Sequence, residues 1–213
     1  MEVTIAILVI TCVVSFMAFS NQAIIDKLIF YPPAINKQKE WYRFFTCGLI
    51  HADIAHLAFN MFSFYIFGKL VEQEFRIIFP GTGAFLYVTL YVSALAICLL
   101  PTYSKHKDNY YYKSLGASGA VSAVVFAGIL LFPTAKLGLI IIPIKPFIPA
   151  FIFAPVYLIV TAYLDKKGDS GINHSAHLWG ALYGLAFLIV TSYFLSEFRP
   201  VANFVEDVKN YFR

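Results

Sequence analysis

A chain of 213 residues that is 60% hydrophobic, 18% aromatic and only 13% charged has too little charge to cover a water-exposed surface. Soluble domains carry about 25% charged residues, and the mean hydropathy here is +0.72. An ordinary soluble globule is therefore excluded, and an all-α polytopic membrane protein is predicted, with residues 1–213 forming one domain in a lipid bilayer. The net charge of +4 is not gathered into a basic cluster, which argues against a nucleic-acid partner. Cys12, Cys47 and Cys98 are isolated, so neither a disulfide framework nor a thiolate metal site is indicated.

The first apolar segment, Val3 to Phe19, follows Met1-Glu2 with no basic stretch, and reads as a transmembrane helix rather than a cleaved signal peptide. The connection from about Asn21 to Ala52 is longer than an ordinary loop. Its aromatics alternate with Lys37, Lys39 and Arg43, which predicts short helices lying in the membrane interface. Five further spans are predicted over about 54–75, 83–100, 117–132, 147–164 and 175–195, making six with the first over 3–19. Pro101 is expected to close the third span and Pro133 the fourth, while Pro149 and Pro155 loosen the fifth. Thr102–Lys113 and Asp165–His174 read as polar loops, Lys136–Lys145 as an interfacial segment, and the residues after 195 as a short polar tail. The fourth span is short, so its N-terminal end is expected below the membrane surface. Basic residues divide almost evenly between the two sides, and charge does not orient the chain.

That fourth span opens with Gly116-Ala117-Ser118-Gly119. A serine at a helix start lies beside unpaired N–H groups and the positive end of the helix dipole, which suits a developing oxyanion. Gly116 and Gly119 leave room for another backbone. The same small residues also suit a helix-packing motif. His177, inside the sixth apolar segment, shares a helix face with Gly180 and Gly184 at i+3 and i+7. An imidazole inside a membrane span marks a functional site unless its hydrogen bonds are purely structural. If the glycines bring the fourth and sixth helices together, His177 can act as general base to Ser118. On the second span His56 and Asn60 stand at i and i+4, two donors aimed the same way and fitted to an oxyanion. His51, near the start of that helix, would support them.

These residues, with Trp41-Tyr42-Arg43, Gly68, Glu72 and Ala176-His177, resemble the rhomboid family of intramembrane serine proteases in identity, order and helix number. The resemblance implies a six-helix bundle with a long interfacial first loop and a Ser118–His177 dyad. It implies an oxyanion hole from His56, Asn60 and the Ser118 N–H. Trp41 and Arg43 would support the first loop, and Glu72 the packing of helix two. It also implies transmembrane proteins as substrates, no cofactor or metal, cytoplasmic termini and an outward-opening site, with a bacterial inner membrane as the expected location. Two positions depart from the family pattern: Ser122 stands where many bacterial relatives carry tyrosine, and Asn173 where an acidic residue often precedes the histidine.

The competing reading is a proteolytically inactive relative that binds transmembrane clients, although such proteins typically lack the serine or histidine. A transporter would more often show paired mid-membrane acids and an internal repeat. No His-Glu-x-x-His motif is present for a zinc protease. No pair of aspartates lies within two apolar helices.

Overall fold

The structure, a computed structural model, describes residues 2–137, 148–168 and 171–213. It is mostly helical. Helix α1 spans Glu2–Phe19, and the connection after it is built from α2 (Gln22–Leu28), α3 (Pro32–Gln38), α4 (Arg43–Thr46) and a 3-10 turn at Cys47–Leu49. Then follow α5 (Ile54–Ile78), α6 (Gly83–Ile97), α7 (Leu100–His106) and α8 (Ser118–Leu131). A two-residue pairing of Lys136–Leu137 with Ile148–Pro149 leads into α9 (Ala150–Lys167), α10 (His174–Leu195) and α11 (Pro200–Tyr211).

Among the described residues, four helical stretches are long and apolar enough to cross a membrane: Glu2–Phe19, Ile54–Ile78, Gly83–His106 and His174–Leu195. Helix α8 is a shorter apolar helix. Its 14 residues rise about 21 Å, less than the roughly 30 Å of a hydrocarbon core.

Helix α8 is the centre of the bundle. Only Ser118, Val125 and Leu131 escape burial along it, and α5, α6, α9, α10 and α11 all pack against it. Its many glycines and alanines permit this, because small side chains let neighbouring backbones approach where lipid offers no hydrophobic drive between helices. Helix α1 has the inverted pattern of a lipid-facing helix. Thr4, Thr11, Ser15 and Ala18 face the protein, while Val9, Ile10, Val13 and Phe16 point outward.

Its inner stripe docks on a buried carboxylate. Glu72 of α5 accepts hydrogen bonds from the Thr4 amide (2.9 Å) and the Thr4 hydroxyl (2.7 Å), and pairs with Arg76 at 3.0 Å. Thr4 also bonds the Tyr87 hydroxyl of α6 at 2.9 Å, and a Cβ at Gly68 would crowd both partners. Glu72 thus ties α1 to α5, which is why a charge is tolerated in this apolar environment.

Two elements differ from the sequence expectation. Pro101 does not end the third helical stretch. The chain turns at Cys98–Leu99 and re-enters a helix with Pro101 in its first turn, where a missing N–H costs nothing, so Thr102–His106 is helical rather than loop. Pro200–Tyr211 form α11 where a polar tail was expected after 195. The predicted start of the fifth span at 147 and most of Lys136–Lys145 lie outside the described residues; α9 begins at Ala150 and buries only Ala150 and Thr161.

Candidate active site

Ser118 is the first residue of α8, and the segment before it is fixed by backbone contacts. Ser114 bridges Phe30 in both directions (3.0 and 3.1 Å), and the Gly116 amide donates to the Cys47 carbonyl at 2.9 Å. Gly116 has φ +108, and a Cβ there would meet the imidazole of His56 at 2.8 Å. Glycine is required at this position for the conformation and for the space.

His177 sits in the first turn of α10. Its Nε2 lies 2.6 Å from Ser118 Oγ, the geometry of a base on a hydroxyl. The close crossing of α10 on α8 sets this distance. A Cβ at Gly180 would overlap the Gly119 carbonyl, and one at Gly184 the Ala123 carbonyl, so the two backbones touch directly one residue and five residues beyond Ser118. Gly119 is equally confined, with Cys98 Sγ and the Ala176 carbonyl against the place of its absent Cβ.

Asn173 caps α10. Its Oδ1 accepts from the Ala176 amide and from the Thr102 hydroxyl of α7, both at 3.0 Å, fixing the turn that presents His177. Among the described residues no acidic side chain hydrogen-bonds to His177.

Helix α5 supplies the other wall. Asp53 caps it by accepting from the His56 amide at 2.7 Å. The Ala52 amide points at His56 Nδ1 over a long 3.5 Å, which favours a proton on Nε2, on the side of the ring that faces Gly116. Asn60 is buried; its Nδ2 donates one proton back to the His56 carbonyl at 3.0 Å and has a second to give.

His51 stands edge-on to His56, with ring centroids 5.0 Å apart. Ser15 Oγ donates its proton to the Leu49 carbonyl at 2.8 Å, so the 3.0 Å contact with His51 Nδ1 must run from the ring to the hydroxyl. That leaves the lone pair on Nε2 facing the Ala117 amide at 3.5 Å. His51 therefore links α1 to the loop ahead of Ser118.

Trp41 and Arg43 lie apart from Ser118, in the first connection. Arg43 donates to the carbonyls of Asp26 and Ile29, both at 2.8 Å, closing the C-terminal end of α2, and pairs with Glu40. Trp41, half exposed, stacks on Phe44. A small cavity beside Ser118 is lined by Cys47, Leu95, Cys98, Gly116, Gly119 and Asn173.

A contact that the sequence did not suggest involves Ser122. Its hydroxyl meets Tyr157 Oη of α9 at 3.2 Å, and the tyrosine ring packs on Phe126 and Phe153. Nothing in the chain distinguishes Tyr157 from the other tyrosines among its 14.

With this geometry in hand, comparison with known proteins is decisive for the family. A rhomboid-domain model matches residues 38–194. The chain belongs to the rhomboid family. This rhomboid chain is 31% identical over 186 residues to Rhomboid-like protein 11, chloroplastic, of Arabidopsis thaliana, covering 79% of the chain and 57% of that protein. It is 32% identical over 146 residues to RHOMBOID-like protein 12, mitochondrial, of the same plant, covering 64% and 42%. With the Presenilin-associated rhomboid-like protein, mitochondrial, of Mus musculus it shares 29% over 139 residues, covering 65% and 35%. The rhomboid chain thus matches little more than half, or less, of each of these relatives' length. Their names correct one expectation: the relatives are chloroplastic and mitochondrial, which points to organellar membranes and not to a bacterial inner membrane.

Proposed function

We propose that this rhomboid is an intramembrane serine endopeptidase acting on transmembrane segments, with Ser118 as nucleophile and His177 as general base. The observation that carries this reading is the 2.6 Å Ser118–His177 hydrogen bond at the head of the most buried helix. In the proposed reaction Ser118 Oγ attacks the scissile carbonyl carbon while its proton passes to His177 Nε2. The oxyanion is held by the Ser118 N–H, whose place in the first helical turn leaves it without an intrahelical acceptor, and by His56 Nε2–H and the second Asn60 N–H. His177 returns the proton to the leaving amine, and water then hydrolyses the acyl-enzyme. Residues 1–213 act as one domain with six spans, counting α8 and α9 with the four longer stretches, and the first connection lies in the interface. Trp41, Arg43, His51 and Glu72 position these elements and do not touch substrate. The names of the relatives support an organellar membrane.

A transmembrane helix hides its carbonyls in its own hydrogen bonds, so the substrate must unwind before it can be cut. Unwinding in hydrocarbon leaves polar groups without water. The preferred substrate is a single-pass protein with Gly, Pro or polar residues near one end of its span and a small residue, Ala or Ser, at the scissile carbonyl. The confined space around Gly116, Ala117 and Ser122 favours the small residue. Entry past α9, the least buried of these helices, is the natural route.

The test is purified full chain in detergent with a fluorophosphonate probe and a panel of such substrates. Adduct mass on Ser118 and cleavage that falls when Ala is replaced by Phe or the helix breakers are removed are expected. A folded chain that captures the substrates but forms no adduct would instead be an inactive client-binding relative.

Asn60→Ala is expected to lower turnover by roughly 10- to 1000-fold, the range for one lost oxyanion donor. His56→Ala should fall at least as far. Wild-type rates for both on a slow substrate would remove α5 from the site.

A further inference from the structure

Helix α11 begins five residues after α10 ends, and α10 finishes in Tyr193, Phe194 and Leu195, exposed by 66%, 75% and 58%. A chain leaving such an apolar end has little length in which to move away from the bilayer surface. Helical spacing gathers Val201, Phe204, Val205, Val208, Tyr211 and Phe212 on one side of α11. That apolar face is divided lengthwise. Phe204 packs against the main core, Val208 is half-buried, and Tyr211 and Phe212 meet the Phe151 ring at the start of α9 with centroids 5.6 and 5.8 Å away. Val201, Val205, Tyr211 and Phe212 remain exposed by 51%, 44%, 44% and 73%.

At about 100° per residue, Lys209 borders the exposed strip beside Val205, Arg213 follows just past the end of the helix with Glu206 on the same side, and Asp207 falls on the far side. We propose that α11 is a membrane-surface helix. Its exposed strip, Val201, Val205 and Phe212, enters the boundary between headgroups and acyl chains, and Lys209 and Arg213 hold anionic phospholipid headgroups. Apolar area supplies the insertion and the basic edge the preference for anionic lipid.

The test uses the full chain reconstituted in phosphatidylcholine vesicles with and without phosphatidylglycerol. Val205→Cys or Asn203→Cys carries an environment-sensitive fluorophore in a Cys12→Ser background; Cys47 and Cys98 are buried. The label at position 205 should shift to the blue, be quenched by nitroxide lipids and resist aqueous iodide, and the label at 203 should do the reverse. Lys209→Glu with Arg213→Glu should reduce lipid quenching at 205 in the anionic vesicles alone. Equal iodide access at 203 and 205 overturns the proposal. Protection at 205 that depends on protein-to-lipid ratio and yields crosslinked pairs also overturns it, in favour of a second copy as the occupant.

Discussion

Ser118→Ala and His177→Ala are each expected to abolish substrate cleavage and leave a folded, helical protein. In serine proteases removal of either partner costs on the order of a millionfold in turnover, which puts the residue of activity below detection. The stronger result is non-additivity. Because nucleophile and base act as one unit, the double variant should be no slower than either single one. Full activity in Ser118→Ala would sink the assignment outright. Measuring thermal unfolding alongside separates chemistry from folding, since loss of one part-buried hydroxyl contact costs only about 1 kcal/mol.

Gly180→Ala and Gly184→Leu carry the second large effect, and it is positional. Each new side chain would enter a backbone carbonyl of α8, at Gly119 or Ala123, and drive the helices apart at the crossing that sets the serine–histidine distance. A displacement of about 1 Å loses roughly 100-fold in rate, while overpacking costs about 1–3 kcal/mol of stability. The prediction is loss of at least 100-fold in turnover for Gly180→Ala while the chain stays folded. Ala186→Leu, on the exposed face of the same helix, should leave the rate unchanged. An active Gly184→Leu would show that the crossing tolerates expansion and does not set the dyad.

Much of this arrangement could be read from residue types that are costly in an apolar segment. A serine among glycines at a helix start, a histidine with two glycines on its face, and a histidine and asparagine one turn apart all stand out against Val, Leu and Phe. Contacts carried by ordinary residues could not be read in this way. Tyr157 reaches Ser122 from a helix whose place in the bundle no spacing reveals. Thr102 reaches Asn173 only because the chain re-enters a helix after Pro101, where a proline in a hydrophobic run had signalled an ending. Helix α11 was concealed by its charges: over so short a stretch Glu206, Asp207 and Lys209 lower the average, and the apolar side emerges only once the residues are wound at helical pitch. The cellular location was not legible either, because a bilayer-spanning sequence responds to hydrocarbon, which differs little between a bacterial membrane and an organellar one.

The amide that begins α10 has a consequence for acid tolerance. Asn173 holds the first turn of that helix through Oδ1, accepting from Ala176 and Thr102, and an amide neither gains nor loses a proton across the physiological range. A carboxylate in the same place would grip more strongly when ionised and let go when protonated. Acidification therefore leaves this mount of His177 standing.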